Sequence, residues 1–594
     1  MNANAFLNSS ATSHGCGAEV QTAWTKSKSF RRLATMVGCA TLFVLFSLTL
    51  GAQTTKDEKP ATNQRGTIKG RVVSEDGQPL MGVGVYASPR QSSVRSRSAT
   101  TDDEGNFILP DLPLVSYGLL AQTAGYVESD DSGTNPLARQ YRVGETVTLT
   151  LTKGGVITGK VLDQGGQPLV GANVTARRVR DSAGRAVNNN IGGGQSASDD
   201  RGIYRIYGLQ TGSYVVYTNG SFGTGYVNQT RDVPTYYPSS PRDAAQEVPV
   251  TVGLVVTGID IRHRRERGHS VSGTFTGVPE GAIGPPITIT LSDPVTKLGI
   301  TSATVNPRLT NNGFAVNSVP DGEYEITASH PGWNAAQGAS TAPPRTIKVQ
   351  GSDVTGVVLN MLPLGSIVGR VELEPSALKD CPMNRRGTLT EIVLHRRRLD
   401  FAASSNPGSE VAPNDQQEFI IPNVAPGRYR LTAQLPSDHW YWKAMTAPTP
   451  AGKPIDAARQ DLLIKQGEKL AGLTLTMAEG AAAIRTRVEG RNLPARLRVL
   501  AVPAEKEAAD DVLRYVEVMG KATAPFTLAH LAPGKYWLLV RSVPDEEADE
   551  QPAPPAAWNA EARAKLRREA EAANQSVEVK PCQRVTDYVL KVVR

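Results

Sequence analysis

The sequence is poor in the residue types and motifs that most often build catalytic and metal sites. Its 594 residues include seven histidines and four cysteines, and they form neither a His-Glu-x-x-His pair nor a Cys-x-x-Cys pair of the kind that holds zinc. A Gly-x-Ser-x-Gly elbow, a phosphate-binding loop and a dinucleotide-binding glycine pattern are also missing. These absences predict a protein that is not an enzyme and that uses no cofactor and no metal.

The sequence also lacks a large excess of positive or negative charge. The formal net charge is +7, and it falls to +4 without the first 52 residues, which hold four basic residues and one acidic residue. Nucleic-acid binding needs a concentrated basic stripe, so we expect no nucleic-acid partner. Two basic runs, 262–267 and 395–398, are interpreted as solvated edges or linkers, with acidic polysaccharide or phospholipid headgroups as the alternative partners.

Only one long apolar run is present, from Leu33 to Ala52, and it follows the basic residues Lys26, Lys28, Arg31 and Arg32. This pattern is typical of an export signal over residues 1–52, with cleavage after Ala52 and a flexible lead-in over 53–65. About 20 apolar residues could also span a bilayer, so residues 33–52 could instead remain as an anchor. Either interpretation predicts a secreted, periplasmic or cell-surface protein that touches a membrane only through an uncleaved N-terminal segment.

Two cysteines, Cys381 and Cys582, follow this segment. Disulfides persist in exported proteins, so these two residues are a candidate pair. A disulfide between them would close a loop of about 200 residues, for which the chain-entropy model gives roughly 5 kcal/mol. Two free buried thiols are the alternative.

An aromatic pair with a constant separation of ten residues recurs five times. In four of the five copies a glycine stands two residues before the tyrosine, where a turn requires backbone angles that other residues resist, whereas the first copy has Val115. The pairs are Phe107 and Tyr117, Tyr204 and Tyr214, Phe314 and Tyr324, Phe419 and Tyr429, and Phe526 and Tyr536.

Each copy opens and closes with a run of alternating apolar residues, which indicates half-buried strands. The period of roughly 100 residues is a domain period. The sequence therefore predicts five domains: 66–152, 153–263, 268–362, 363–477 and 478–594. Within the last domain, spacing of four between Trp558, Ala562, Leu566 and Ala570 predicts one amphipathic helix over 556–573 that packs against that domain.

The first two domains share more specific motifs. Gly77-Gln-Pro-Leu-Met-Gly and Gly166-Gln-Pro-Leu-Val-Gly are followed by Asp102-Asp-Glu-Gly-Asn-Phe and Asp199-Asp-Arg-Gly-Ile-Tyr. These residues resemble the carboxypeptidase regulatory-like domain, a transthyretin-like β-sandwich that is also grouped with carbohydrate-binding-like and collagen-adhesin-type repeats. The resemblance implies sandwiches of about seven strands and no activity, since the peptidase domain that such domains accompany is not in this sequence.

The fold class that follows is all-β: a tandem array of about five transthyretin- or prealbumin-like sandwiches, with one short helical insertion near the C-terminus. The segments between repeats are very short, as in 151–155. Five domains of about 30 Å in line would reach on the order of 150 Å. We therefore expect a structural spacer or an adhesive module at the cell envelope, with an envelope protein or a polysaccharide as partner.

Two motifs have a second interpretation. The acidic turns at Asp102 and Asp199 could bind calcium, but their position at a repeated hairpin favours turn formation. Aromatic residues after the tyrosine strand, namely Trp333, Trp440, Tyr441 and Trp442, could stack on sugar rings or cover a domain junction. Because four rings in succession, His439 to Trp442, cannot all face inward along a strand, this cluster is the candidate glycan site, and carbohydrate binding is the alternative function.

Overall fold

The computed structural model describes residues 65–592, except for 92, 129–138, 183, 185, 188–192, 223–231, 279–284, 296, 298, 308, 333–337, 377–380, 382–386, 400–409, 449–453 and 544–554. The predicted signal or anchor (1–52) and the lead-in before residue 65 lie outside the described residues. Within the described part, no helix is long and apolar enough to cross a membrane.

The described chain is built almost entirely of strands. Domain 1 has β1 (Arg65–Ser74), β2 (Gly84–Pro89), β3 (Arg97–Thr100), β4 (Asn106–Pro113), β5 (Ser116–Gln122), β6 (Tyr126–Glu128), β7 (Tyr141–Arg142) and β8 (Thr146–Lys153). Domain 2 has β9 (Gly155–Leu162), β10 (Ala172–Arg180), β11 (Gly194–Ala197), β12 (Ile203–Leu209), β13 (Gly212–Phe222), β14 (Thr235–Tyr236), β15 (Glu247–Val250), β16 (Val255–Val256) and β17 (Ile261–Arg262).

Domains 3 to 5 continue the series. Domain 3 has β18 (His269–Thr276), β19 (Ile287–Ser292), β20 (Gly299–Val305), β21 (Gly313–Val319), β22 (Gly322–His330), β23 (Ser340–Val349), β24 (Val354–Asn360) and β25 (Leu362–Pro363). Domain 4 has β26 (Gly365–Glu374), β27 (Val393–Arg398), β28 (Glu410–Val411), β29 (Glu418–Val424), β30 (Gly427–Gln434), β31 (Trp440–Ala447), β32 (Ile455–Asp456), β33 (Leu462–Ile464) and β34 (Lys469–Glu479). Domain 5 has β35 (Ala482–Glu489), β36 (Arg496–Pro503), β37 (Val516–Lys521), β38 (Phe526–Leu531), β39 (Gly534–Ser542), α1 (Ala560–Ala573), β40 (Ser576–Val579) and β41 (Arg584–Lys591).

All five domains share the same core strand topology, so the predicted fold class is confirmed. In the first sheet of each, the opening strand pairs antiparallel with the strand that carries the first aromatic residue and parallel with a closing strand, as β1 does with β4 and β8. In the second sheet, the second strand lies between the third and the tyrosine strand, as β2 lies between β3 and β5. The two sheets pack face to face around an apolar core, as in a β-sandwich.

Five large apolar cores occur among the described residues, one for each predicted repeat. Alternation of inward and outward residues along the strands produces them, as in the pattern of β10, where every second side chain is buried. The exact domain boundaries stay a prediction. One residue packs across a predicted boundary: Val512 belongs to the sequence of domain 5 but lies in the core of domain 4.

The repeated aromatic pair has a single structural role. The first member is buried in the first sheet and the tyrosine is buried in the second sheet. Every one of the five tyrosines donates its hydroxyl hydrogen to the carbonyl oxygen four residues earlier, at 2.7–3.2 Å, and so fixes the turn between the sheets. This is the tyrosine-corner arrangement of β-sandwich proteins. The glycine before four of the tyrosines has a positive φ of 145–158°, which explains the predicted preference.

A glycine in the opening strand allows the neighbouring strands of the first sheet to approach closely. A Cβ atom at Gly70 or Gly369 would overlap the carbonyl oxygens of Val147 and Leu473 in the parallel closing strands. In the antiparallel register, each of these two glycines lies opposite the first aromatic residue of its domain. A larger side chain would therefore separate the strands, which accounts for the glycine of the opening motif.

The acidic turns form hairpins, as the favoured interpretation predicts. Asp102 Oδ1 accepts the backbone N–H of Asn106 at 2.7 Å, and Asp199 Oδ1 accepts that of Ile203 at 2.7 Å. Gly105 and Gly202 supply the positive φ values of the two turns. The aspartates are thus used in stabilising the turns themselves.

The predicted helix is present and packs on domain 5, but it begins later than predicted. A short 3₁₀ turn covers Ala556–Trp558, and α1 starts after Asn559, whose side chain accepts the backbone N–H of Ala562 at 2.9 Å. This is an N-cap, which sets the helix start. Leu566 and Ala570 pack against Leu500 and Val502 on the outer face of the second sheet.

Contacts between domains are not confined to neighbours in sequence. Domain 1 contacts domain 4, since the backbone N–H of Ala412 donates to the carbonyl of Arg90 at 3.3 Å and Ser116 Oγ donates to the carbonyl of Glu391 at 2.6 Å. The residues of this contact occur once each, so no repeat pattern in the sequence predicts it.

Candidate functional site

The two candidate cysteines lie at the junction of domains 4 and 5. The structure joins Cys381 and Cys582 in a disulfide, with 5.6 Å between their Cα atoms. The backbone N–H of Cys582 also donates to the carbonyl of Gly480 at 3.0 Å, in the short segment between β34 and β35. The disulfide therefore crosses the point where one domain passes into the next, and it limits their relative movement.

Trp440 cannot serve as a ligand-stacking ring. Its side chain is fully buried, and it belongs to the apolar core of domain 4 with Met445 and Met477. The prediction of Trp440 as a glycan-stacking residue is wrong, because the side chain at this first position of β31 points into the domain 4 core. Alternation along the strand allows one of the successive rings to enter the core, and this is the one.

The other proposed stacking residues differ in their surroundings. Trp442 is half-buried, packs against the domain 4 core, and donates its indole N–H to the carbonyl of Ala444 at 2.9 Å. Tyr441 is half-buried as well, and burial raises the pKa of its hydroxyl. Trp333 lies outside the described residues. Of the four rings from His439 to Trp442, one is buried and three are partly accessible. Glycan stacking by Tyr441 and Trp442 stays a prediction.

The chain around the ring cluster contacts domain 5. His530 Nδ1 lies 2.9 Å from the carbonyl oxygen of Trp440, and Arg584 Nη2 lies 3.1 Å from His439 Nδ1. Burial, with a further contribution from the positive charge of Arg584, lowers the pKa of His439. A neutral imidazole can accept the Arg584 hydrogen bond, so this histidine is suited to holding the junction.

Arg430 strengthens the same junction from inside domain 4. Its guanidinium is buried, forms an ion pair with Asp461 at 2.8 Å, and donates to the carbonyl of Ala458 at 2.6 Å. The guanidinium also lies 5.5 Å from the ring centre of Trp558, just before α1. This cation–π contact connects the helical insertion of domain 5 to domain 4.

The contact between domains 1 and 4 contains a fully buried carboxylate. Glu391 of domain 4 closes a short 3₁₀ turn, Leu389–Glu391, and its carboxylate accepts the backbone N–H of Thr388 at 2.9 Å in a capping box. Arg142 of domain 1 donates to both carboxylate oxygens, at 3.3 and 3.4 Å. Removing the arginine would leave this buried charge unpaired, which is strongly destabilising.

A second ion pair lies at the edge of this contact. Arg90 of domain 1 lies 3.0 Å from Glu410 of domain 4, and His395 Nδ1 lies 3.5 Å from the other carboxylate oxygen. Burial opposes the ionisation of Glu410, but the hydrogen bond from His395 and the charge of Arg90 outweigh it and lower the pKa of that carboxyl. The two ion pairs together form what we call the domain 1–4 clasp, defined by Arg90, Arg142, Glu391 and Glu410.

These contacts hold domain 1 against domain 4 and domain 4 against domain 5. Among the described residues, no three His, Cys, Asp or Glu side chains are grouped so that they could hold a metal ion. The clasp residues were missed by sequence reasoning because they occur once and carry no repeat pattern. One signal was available, since Thr388-Leu-Thr-Glu391 has the spacing of a capping box. It predicts a local turn, however, and not the domain that docks on it.

Comparison with known families identifies the first repeat. Residues 67–152 match the family model "Carboxypeptidase regulatory-like domain". The resemblance inferred from the motifs is thereby confirmed for domain 1. No curated protein matches the chain.

Among solved structures, the chain is similar to the TIE protein of Bacillus anthracis at 16% identity, covering 50% of each chain with a TM-score of 0.13. It is also similar to GBS52, the minor pilin of Streptococcus agalactiae, at 16% identity, covering 33% of this chain and 94% of that one with a TM-score of 0.19. The shaft pilin SpaA of Lactobacillus rhamnosus GG matches at 13% identity, over 34% of this chain and 97% of that one, with a TM-score of 0.17. TM-scores this low carry no argument on function.

Proposed function

We propose that this protein is an exported, non-catalytic scaffold of the cell envelope that interacts with other envelope components through its sandwich domains. The observation that carries the proposal is the fixation of the domains to one another. A disulfide crosses the junction of domains 4 and 5, and the buried Glu391 of domain 4 is paired with Arg142 of domain 1. Fixed domains hold their surfaces in a constant arrangement, which suits a structural or adhesive role.

The disulfide also supports the location. Structural disulfides persist in oxidising compartments outside the cytoplasm, and the basic and apolar pattern of residues 1–52 is that of an export signal. An extended spacer is the less suitable form of this function, since the clasp brings domain 1 onto domain 4 instead of adding to the reach. No observation favours the alternative of glycan binding in domain 4 now that Trp440 is assigned to the core.

Cell fractionation with thiol labelling tests the proposal. We expect the chain in the envelope or in the medium, with Cys381 and Cys582 resistant to alkylation until a reductant is added. Sequencing of the mature N-terminus then distinguishes cleavage after Ala52 from a retained anchor. A chain found in the cytoplasm, with both thiols reactive, would contradict the proposal.

A further inference from the structure

A polar pocket lies where domain 2 passes into the linker before domain 3. Its volume is about 460 Å³, and all the residues that line it are polar or charged: Gln164, Ser239, Arg262, His263, Arg264 and Glu266. Because every lining residue carries a polar or charged group, a ligand can be recognised there by hydrogen bonds and charge.

Backbone contacts hold the linker side of the pocket in place. Ser239 Oγ donates to the carbonyl of Arg262 at 2.7 Å, and the backbone N–H of His263 donates to the carbonyl of Leu162 at 2.7 Å. The backbone N–H of Arg264 donates to Thr235 Oγ1 at 3.2 Å. The segment is therefore fastened to domain 2 on both sides, and the pocket does not depend on a free loop.

The histidine in the lining serves this fixation. The His263 ring is fully buried, with Nδ1 at 3.2 Å from Thr235 Oγ1 and Nε2 at 3.3 Å from Asp232 Oδ2. Arg262 and Arg264 flank this residue in the sequence, and neither of them is buried. Both arginines line the pocket.

The two arginines differ in how their charge is compensated. Arg264 pairs with Glu266 at 2.6 Å. Arg262 is exposed, and within the described part of the chain its side chain has neither a hydrogen bond nor an ion pair. The pocket thus has one uncompensated guanidinium, whose planar set of donors matches the two oxygens of a carboxylate.

We propose that this pocket binds a carboxylate group, with Arg262 as its anchor. The chemistry fits an acidic sugar and the free C-terminus of a peptide equally, because both present a planar anion beside hydrogen-bonding groups. This inference goes beyond the scaffold function, since it assigns a ligand class to a site in domain 2.

Isothermal titration calorimetry on the purified full-length protein tests it with two acids and their uncharged counterparts. The probes are glucuronate with glucose, and N-acetylalanine with its amide; sulfate serves as a non-planar anion. We expect saturable binding of one or both acids. The uncharged counterparts and sulfate should bind at least ten-fold more weakly. The acid that binds more tightly indicates whether the carboxylate comes from a sugar or from a peptide.

Arg262→Gln should weaken acid binding at least ten-fold, whereas Arg205→Gln, which removes an equal charge from an exposed position in β12 of the same domain, should leave it unchanged. The proposal is overturned if neither acid binds, if sulfate binds as tightly, or if both variants lose affinity equally. None of these outcomes affects the scaffold proposal, which depends on location and disulfide state.

Discussion

The guanidinium of Arg142 in domain 1 reaches both oxygens of the buried Glu391 carboxylate in domain 4, across 249 residues of sequence. The same carboxylate caps the 3₁₀ turn on which domain 1 rests. One side chain therefore shapes the docking surface of its own domain and binds the partner domain. Loss of the arginine would leave a buried charge unpaired, so we expect it to destabilise the docked arrangement.

Removal of a tyrosine-corner hydroxyl should destabilise a single domain. Tyr324→Phe deletes the hydrogen bond to the carbonyl of Pro320, and we expect a loss of about 1 kcal/mol in the free energy of unfolding. Urea denaturation measures it. Tyr207→Phe is the control, since that ring is exposed in β12, and an equal loss in both variants would contradict the assigned role.

The corner tyrosines also predict a loss of stability at alkaline pH. Burial raises the pKa of Tyr117 and Tyr324 to about 12. The folded chain keeps these protons where the unfolded chain releases them, so their contribution is complete below about pH 10 and declines as the pH rises to about 12. The stability difference between wild type and Tyr324→Phe should therefore narrow from about pH 9 to about pH 11 in urea denaturation. If the stability difference between wild type and Tyr324→Phe stays constant over this pH range, the raised pKa of Tyr324 does not contribute to the pH dependence of stability.

Breaking the disulfide should loosen the junction of domains 4 and 5. The Cys381→Ser, Cys582→Ser double variant opens a loop with a sequence separation of 201 residues, and the chain-entropy model sets an upper estimate of about 5 kcal/mol for the lost stability. Thermal unfolding with and without reductant provides the measurement. Reductant should lower the midpoint of the wild type and leave the double variant unchanged. If reductant has no effect on the wild type, the disulfide does not stabilise the folded chain.

Truncation of Trp440 should act on stability. Trp440→Ala leaves a large cavity in the domain 4 core, and we expect a loss of about 3–5 kcal/mol in the free energy of unfolding. Tyr441→Ala, next to it but half-buried, should cost clearly less. Denaturation followed by tryptophan fluorescence or circular dichroism compares the two. If both variants lose equally little free energy of unfolding, Trp440 is not a core residue and is again a candidate for ligand binding.

The sequence allowed the repeated features to be predicted, since the same physical requirement occurs five times. Constant spacing of the aromatic pair reflects a ring in each sheet and a tyrosine corner between them, and the glycine of the opening strand reflects close approach of the parallel closing strand. The spacing of apolar residues also predicts the helix, but it does not predict the start of the helix at the N-cap Asn559.

Contacts between domains could not be predicted in the same way. Glu391 and Arg142 are far apart in sequence, each occurs once, and nothing in the local pattern connects them. The ring cluster shows the limit most clearly. Successive rings along a strand cannot all face inward, but the pattern does not say which ring does, and Trp440, a predicted ligand contact, is the buried one.

The most direct test of the fixed arrangement is energy transfer between dyes on domains 1 and 4. Cysteines replace the exposed residues Ser93 and Asp415, each three residues from the hydrogen bond between Arg90 and Ala412, in a chain with Cys16 and Cys39 changed to serine. Three residues span at most about 11 Å, so the clasp holds the two labelled Cα atoms within about 30 Å. In a linear array, two intervening domains of about 30 Å each would separate them.

We expect efficient energy transfer between the two dyes in the otherwise unchanged chain. Glu391→Lys, which places a positive charge against Arg142, should reduce the transfer strongly, and Glu418→Lys, at an exposed position of the same domain, should not. Absence of transfer before any clasp residue is changed would contradict the docked arrangement, and with it the proposal of a fixed scaffold.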